Sequence, residues 1–393
     1  PRRWTLWCTS ATVVAISLFH YAPAVLTDIA FTMLVTLFVG LSVSFVRTGS
    51  RRLLIAIALT AALAMLLRYM GVAVVGAGFI LTMFFPYQLS WKNRLRQTVL
   101  YGLLAAPLPL LWLLHNVMMS STAAGQFYSY GYTFFQHLRL SVAALGSWFF
   151  PVRIPMVIQL CVAAIFVITG VLLWSKPAEP KKDQRDWQTT PVLVMVGFII
   201  LFYSLTLLAS WRFTTAELED YQRYLTPILV PLLCLIAITL YRLTRYLQRH
   251  GTRGRLFGGL VTVLAYLWLV FPIYRDVDYA RSIIAEGGGG YTARHWRESQ
   301  TLKELASIGG QTILSNAPAA VYFYTGRTAR SVPFQWKRDS IPCPQVSVQD
   351  SALLVWFLPG AHWSKENRRK NAMITPRIYD EHCGLKRLRA TKD

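Results

Sequence analysis

Asp220-Tyr-Gln-Arg-Tyr-Leu-Thr-Pro-Ile-Leu-Val-Pro-Leu-Leu-Cys-Leu-Ile-Ala-Ile-Thr-Leu-Tyr-Arg-Leu243 sets the reading of this chain. A charged and aromatic cluster centred on Arg223 and Tyr224 opens directly onto an apolar helix that starts at Leu225. A helix crosses a bilayer with about 20 predominantly apolar residues, because hydrocarbon offers no partner to an unpaired peptide group. The same pattern recurs along the chain. Nine segments qualify, at roughly 5–20, 26–46, 52–67, 69–86, 97–115, 155–174, 190–210, 225–243 and 257–273. The third and fourth meet around Arg68-Tyr69, and read as one they would be too long for a single span.

Composition points the same way. Of 393 residues, 54% are hydrophobic and only 15% charged, with a mean hydropathy of +0.40. A soluble domain carries about 25% charged residues. The formal charge of +22 would suit nucleic acid if it were gathered on one face. Instead it sits in short loops between apolar segments, which is the signature of membrane topology, and nucleic acid is excluded as a partner. Seventeen of the basic residues before position 274 fall in one alternate set of loops. Five fall in the other: Arg68, Arg139, Arg153, Arg212 and Arg223. The richer set reads as cytoplasmic. Nine spans then place Pro1 inside and everything after residue 273 outside, in a multi-pass membrane protein. The chain begins at Pro1 rather than Met, and the expectation is that it belongs to a longer protein.

The expected organisation is a transmembrane helical domain over 1–273, a linker over 274–290 and an extracytoplasmic α/β domain over 291–393. The run Gly287–Gly290 reads as a tether and not as a phosphate loop, since no strand precedes it and no Gly-Lys-Ser/Thr follows. Beyond it, helices are expected at 295–308 and 318–325, the latter with Gly326 as its C-cap, and strands at 311–314 and 352–357. Between the fifth and sixth apolar segments, 134–150 reads as an amphipathic helix lying on the membrane surface.

Five cysteines are present. Cys8, Cys161 and Cys234 lie in apolar segments and read as small core residues. Cys343 and Cys383 lie in the polar C-terminal region, where an oxidising face would permit one disulfide between them. No zinc spacing occurs, and the seven histidines are scattered. A divalent metal stays open as a cofactor, and no other is implied.

Polar residues in the membrane portion are few enough to weigh singly. Asp28 is the only acidic residue before Glu179 and sits at the mouth of the second apolar segment. Thr27 and Asp28 could simply cap a helix. Alternatively, Asp28 is a base or metal ligand facing a cleft. Arg68, in a tight turn between two apolar helices, either snorkels to the interface or meets a lipid phosphate, for which its planar multi-donor head is suited. Arg223 and Tyr224 either belong to a solvated loop or contact a phosphate, with Tyr224 as the interfacial anchor. No ionisable residue falls mid-span, which disfavours an ion-coupled transporter.

Taken in order, Thr27-Asp-Ile-Ala-Phe-Thr-Met-Leu34, Leu67-Arg-Tyr-Met-Gly71 and Asp220–Pro227 resemble the GT-C superfamily of polytopic glycosyltransferases. Leu314-Ser-Asn-Ala-Pro-Ala-Ala-Val-Tyr-Phe-Tyr-Thr-Gly-Arg327 is similar to a strand–helix unit of their outer domain. Bacterial relatives of protein O-mannosyltransferases and lipid A aminoarabinose transferases look most alike. The resemblance implies transfer of a sugar from a polyprenyl-phosphate donor to a lipid, glycan or protein acceptor at the outer face. By carry-over Asp28 is the catalytic position, Arg68 and Arg223 hold phosphate and Tyr224 borders that site. In such a family the leading carboxylate sits in the first outer loop. Here that loop would precede Pro1, which makes Asp28 a helper or metal ligand. Two other readings stand beside transfer: a lipid-linked glycan transporter or flippase, and a non-catalytic membrane scaffold.

Overall fold

The structure is a computed structural model that describes residues 2–15, 18, 27–85, 89–120, 133–151, 153–175, 189–210, 221–308, 312–315, 317–331, 352–355 and 357. The chain divides into two compact units, Pro1–Tyr279 and Ala280–Asp393.

Every regular element among the described residues of the first unit is a helix. Its elements are α1 (Arg2–Val13), α2 (Thr27–Thr48), α3 (Arg51–Leu67), α4 (Gly71–Phe84), α5 (Trp91–Ala105), α6 (Pro107–Ser120), α7 (Phe134–Phe149), α8 (Met156–Ser175), α9 (Thr189–Ala209), α10 (Tyr221–Leu225), a 3₁₀ turn (Thr226–Ile228), α11 (Leu229–Gln248), α12 (Gly251–Trp268) and α13 (Val270–Ala285). The division between units falls inside α13, so residues 274–285 of the stretch expected as a linker are helical.

Among the described residues, five helical segments are long and apolar enough to cross a membrane: Thr27–Thr48, Trp91–Met119, Met156–Leu173, Gln222–Gln248 and Gly251–Thr292. Two further apolar helices, Gly71–Phe84 and Val194–Ala209, are shorter. At about 1.5 Å rise per residue, a helix of fourteen residues spans only about two-thirds of a hydrocarbon core. This is a helical protein of membrane-spanning character, and five of its described segments meet that length and composition, against nine apolar stretches read from the whole sequence.

Packing follows the helical period. Phe31, Val35, Phe38 and Phe45 of α2 are buried against Leu54, Ile57, Ala58 and Ala61 of α3. Small residues on α3 let the two helices approach closely, which is how helices associate where no hydrophobic driving force separates them from lipid. The α2–α3 turn closes at Gly49, whose φ of 63° is a left-handed value open to glycine without strain. The α3–α4 turn is tighter. A Cβ on Gly71 would lie 2.3 Å from backbone atoms of Met65, so only glycine fits there. That closeness holds Arg68, three residues earlier, in a fixed place at the end of α3.

Helix α7 begins with a reciprocal capping box between Thr133 and Gln136 and buries His137, Ser141, Ala144 and Trp148 along one face. Its last turn is tied down from elsewhere in the unit. Trp268 Nε1 donates to Phe149 O at 3.0 Å, and Arg275 donates to Ser147 O. Both satisfy carbonyls that a helix terminus leaves without an internal partner.

The second unit holds a three-stranded parallel sheet, order β2-β1-β3, from β1 (Thr312–Ser315), β2 (Ala329–Ser331) and β3 (Ala352–Val355). Ile313 pairs with Ala329 on one side and Leu353 on the other. Helix α16 (Pro318–Thr325) forms the crossover from β1 to β2 and ends at Gly326 in the left-handed conformation. Parallel neighbours need such a crossover. Its core is Leu302, Leu305, Ile313, Val321 and Val355. The single helix expected over 295–308 is two, α14 (Arg294–Arg297) and α15 (Gln300–Ser307). Ser299 interrupts them and accepts from Leu302 N as the cap of α15. The glycine run forms a bonded turn: Gly288 N donates to Ile283 O at 3.0 Å and Arg294 N to Glu286 O at 3.0 Å. Cys343 and Cys383, and the loop residues 211–220, lie outside the described residues.

Candidate functional site

Asp28 occupies the first turn of α2 and is completely buried. Alone, an ionised carboxylate so placed would cost several kcal/mol. It is not alone. Arg223 Nε of α10 donates to Asp28 Oδ2 at 2.7 Å, and Arg68 Nη1, at the end of α3, pairs with Asp28 Oδ1. Three elements far apart in sequence therefore converge on one carboxyl group.

The fourth residue singled out from the sequence joins them. The guanidinium of Arg68 lies over the ring of Tyr224, 5.5 Å from its centroid, within cation–π range. Tyr224 is in turn positioned by a residue that sequence reasoning missed. Tyr203, buried on α9, donates its hydroxyl to Tyr224 O at 2.8 Å. The signal was available: a tyrosine within an apolar helix needs a partner for its hydroxyl when buried. Tyr203 also packs against Phe31 of α2 in a tilted arrangement, with ring centroids 6.4 Å apart. A second missed contact supports α10 from the other side, where Gln222 Nε2 donates to Ser147 Oγ of α7 at 2.9 Å.

The electrostatics are asymmetric. Asp28 is sealed, whereas the side chains of Arg68 and Arg223 keep 15% and 24% of their surface. Together the three carry a formal charge of +1. Both oxygens of Asp28 are engaged by cations, so its geometry suits alignment of the two arginines better than abstraction of a proton from a substrate. The guanidinium fork, with five donors in fixed directions, is pre-set for a tetrahedral or planar anion. Among the described residues there is no group of three His, Cys, Asp or Glu side chains that could hold a metal ion.

No protein-family model, curated protein or solved structure matches this chain.

Proposed function

We propose that this chain is a membrane glycosyltransferase that takes a sugar from a polyprenyl-phosphate donor, with Arg68 and Arg223 as the phosphate clamp. The observation that carries the reading is the convergence of these arginines on buried Asp28, with Tyr224 beneath Arg68. As the sugar departs, negative charge accumulates on the lipid phosphate. Two guanidiniums already oriented by a buried carboxylate oppose that charge without having to reorganise, which is the most effective form of electrostatic catalysis. Asp28 serves as the alignment carboxylate. The base that activates the acceptor is then another group.

The same reading takes all nine apolar segments as spans, the shorter stretches Gly71–Phe84 and Val194–Ala209 among them, in a bacterial cytoplasmic membrane. The excess of Lys and Arg in one set of loops supports a cytoplasmic start for this chain and an extracytoplasmic C-terminal unit. The site would then lie at the outer boundary, within reach of a donor headgroup.

The test is transfer in proteoliposomes from radiolabelled polyprenyl-phosphate pentose and hexose donors. Arg223→Ala and Asp28→Asn are expected to lower transfer on the order of 10²-fold. Full transfer by both variants would remove the site assignment. Labelled lipid that crosses the bilayer without covalent change would instead make the protein a flippase.

A further inference from the structure

Cys8 on α1 and Cys234 on α11 lie outside the site described above. They are 226 positions apart in the chain, yet their sulfurs are 3.6 Å from each other, in van der Waals contact. Both are half-buried free thiols. A cysteine packed merely as a small apolar residue has no need of a second sulfur. Here one S–H faces the other sulfur, so the two atoms that a disulfide would join are already neighbours.

The surroundings hold the two helices in place. Trp7 Nε1 donates to Ala265 O of α12 at 2.7 Å, and Tyr266 of α12 donates its hydroxyl to Arg3 O at 2.7 Å. Thr12 Oγ1 donates to Cys8 O at 2.9 Å and steadies the turn that presents the thiol. A disulfide has its sulfurs about 2.05 Å apart, so the pair needs to close by about 1.5 Å. Cys234 lies in a segment long and apolar enough to cross a membrane, so the matching reagent is one dissolved in the apolar phase.

We propose that Cys8 and Cys234 form a redox-active dithiol that a membrane-soluble quinone closes to a disulfide. In that step both S–H bonds break and one S–S bond forms. The two electrons and two protons pass to the quinone, which leaves as the quinol. Helix α11 continues from the 3₁₀ turn and α10, which carries Arg223, so the closed form ties α1 to the element that bears one arm of the anion site. The dithiol stands on its own geometry and does not depend on the proposed transfer reaction.

The experiment uses the full chain, reduced and freed of reductant, in nanodiscs, with a short-chain alkyl benzoquinone as the probe. The readouts are intact mass, the thiols left for alkylation after denaturation, and peptide mapping. The expected result is a Cys8 peptide linked to a Cys234 peptide, restored by dithiothreitol, with one quinol released per link. Cys8→Ser and Cys234→Ser should each leave the remaining thiol of the pair fully alkylatable. Mapping of the unsubstituted protein decides the matter even if a serine variant folds poorly. Cys8 and Cys234 both still alkylatable after quinone, a link from either to Cys161, or covalent addition of the quinone itself would overturn the proposal.

Discussion

Arg223 Nε lies 2.7 Å from Oδ2 of Asp28, a residue 195 positions earlier in the chain. The pair joins α10 to the first turn of α2, and Arg68 completes it from α3. A carboxylate without surface, held by two cations, is a point where the three charges depend on one another. Asp28→Asn removes the buried charge that both arginines engage, and the expected loss of stability is about 3–5 kcal/mol. Arg223→Ala should cost less, because that side chain keeps part of its surface. In the double variant the two losses should fail to add, by about 1–3 kcal/mol. Denaturation of the four proteins in detergent measures this directly, and simple additivity would mean that the ion pair contributes no coupling.

The turn that presents Arg68 depends on Gly71. A Cβ there would sit 2.3 Å from the Cα and N of Met65, and backbone cannot yield as a flexible side chain can. Gly71→Ala is therefore expected to be among the most destabilising single substitutions in the first unit, through displacement of the α3–α4 turn. Gly40 is the internal control: a Cβ at that position meets nothing within 4 Å. Alanine there should leave melting unchanged or raise it, since alanine is the better helix former by about 0.5–1 kcal/mol. Equal melting temperatures for the Gly71 and Gly40 variants would refute the steric account.

Much of this arrangement is legible in the sequence. Asp28, Arg68, Arg223 and Tyr224 stood out because charged and aromatic residues are scarce in an apolar chain and each lay at the end of an apolar run. Their mutual contact was not legible, since nothing in the periodicity of α2, α3 and α11 says which helix mouths meet. Tyr203 was half legible for a related reason. A hydroxyl inside apolar α9 signals the need for a partner, but only the Tyr224 carbonyl beside it says which one. In the second unit, β1, β3 and α16 followed from apolar runs and from Gly326. Strand β2, Ala329–Ser331, has no alternation of its own and exists because β1 offers it an edge. The break between α14 and α15 rests on Ser299, a cap whose competition with helix continuation depends on burial of Leu302 below it.

Tyr203→Phe isolates the positioning of Tyr224. The substitution preserves the ring against Phe31 and removes one hydroxyl, leaving the Tyr224 carbonyl without this donor. A cost of about 0.5–1.5 kcal/mol is expected, the net worth of one hydrogen bond. Since Tyr224 lies beneath Arg68, binding of a short-chain polyprenyl phosphate should weaken together with stability. Tyr203→Leu should be worse on both counts because it also loses the ring. If Tyr203→Phe melts and binds as the unsubstituted protein does, the hydroxyl has no part in holding α10.

Acidification should loosen α7 through His137. This residue lies on the buried face of α7, and desolvation holds its imidazole below the ordinary value of 6.5. The sign follows from proton counting. Above 6.5 the ring is neutral both folded and unfolded, and no stability is lost. As the pH falls below 6.5 the unfolded chain takes up the proton first, so folding weakens until the pH has passed the lowered folded value. Stability contributed by a neutral His137 is therefore present in neutral and alkaline solution and lost on the acid side. His137→Gln removes the titration while keeping polar groups in place. Melting temperatures of the two proteins, followed from neutral to mildly acidic pH, should diverge, with the unsubstituted protein falling more steeply. Because Ser147 of α7 receives Gln222 of α10, that divergence should be accompanied by weaker phosphate binding in acid. Parallel pH profiles would show that His137 does not govern the acid response.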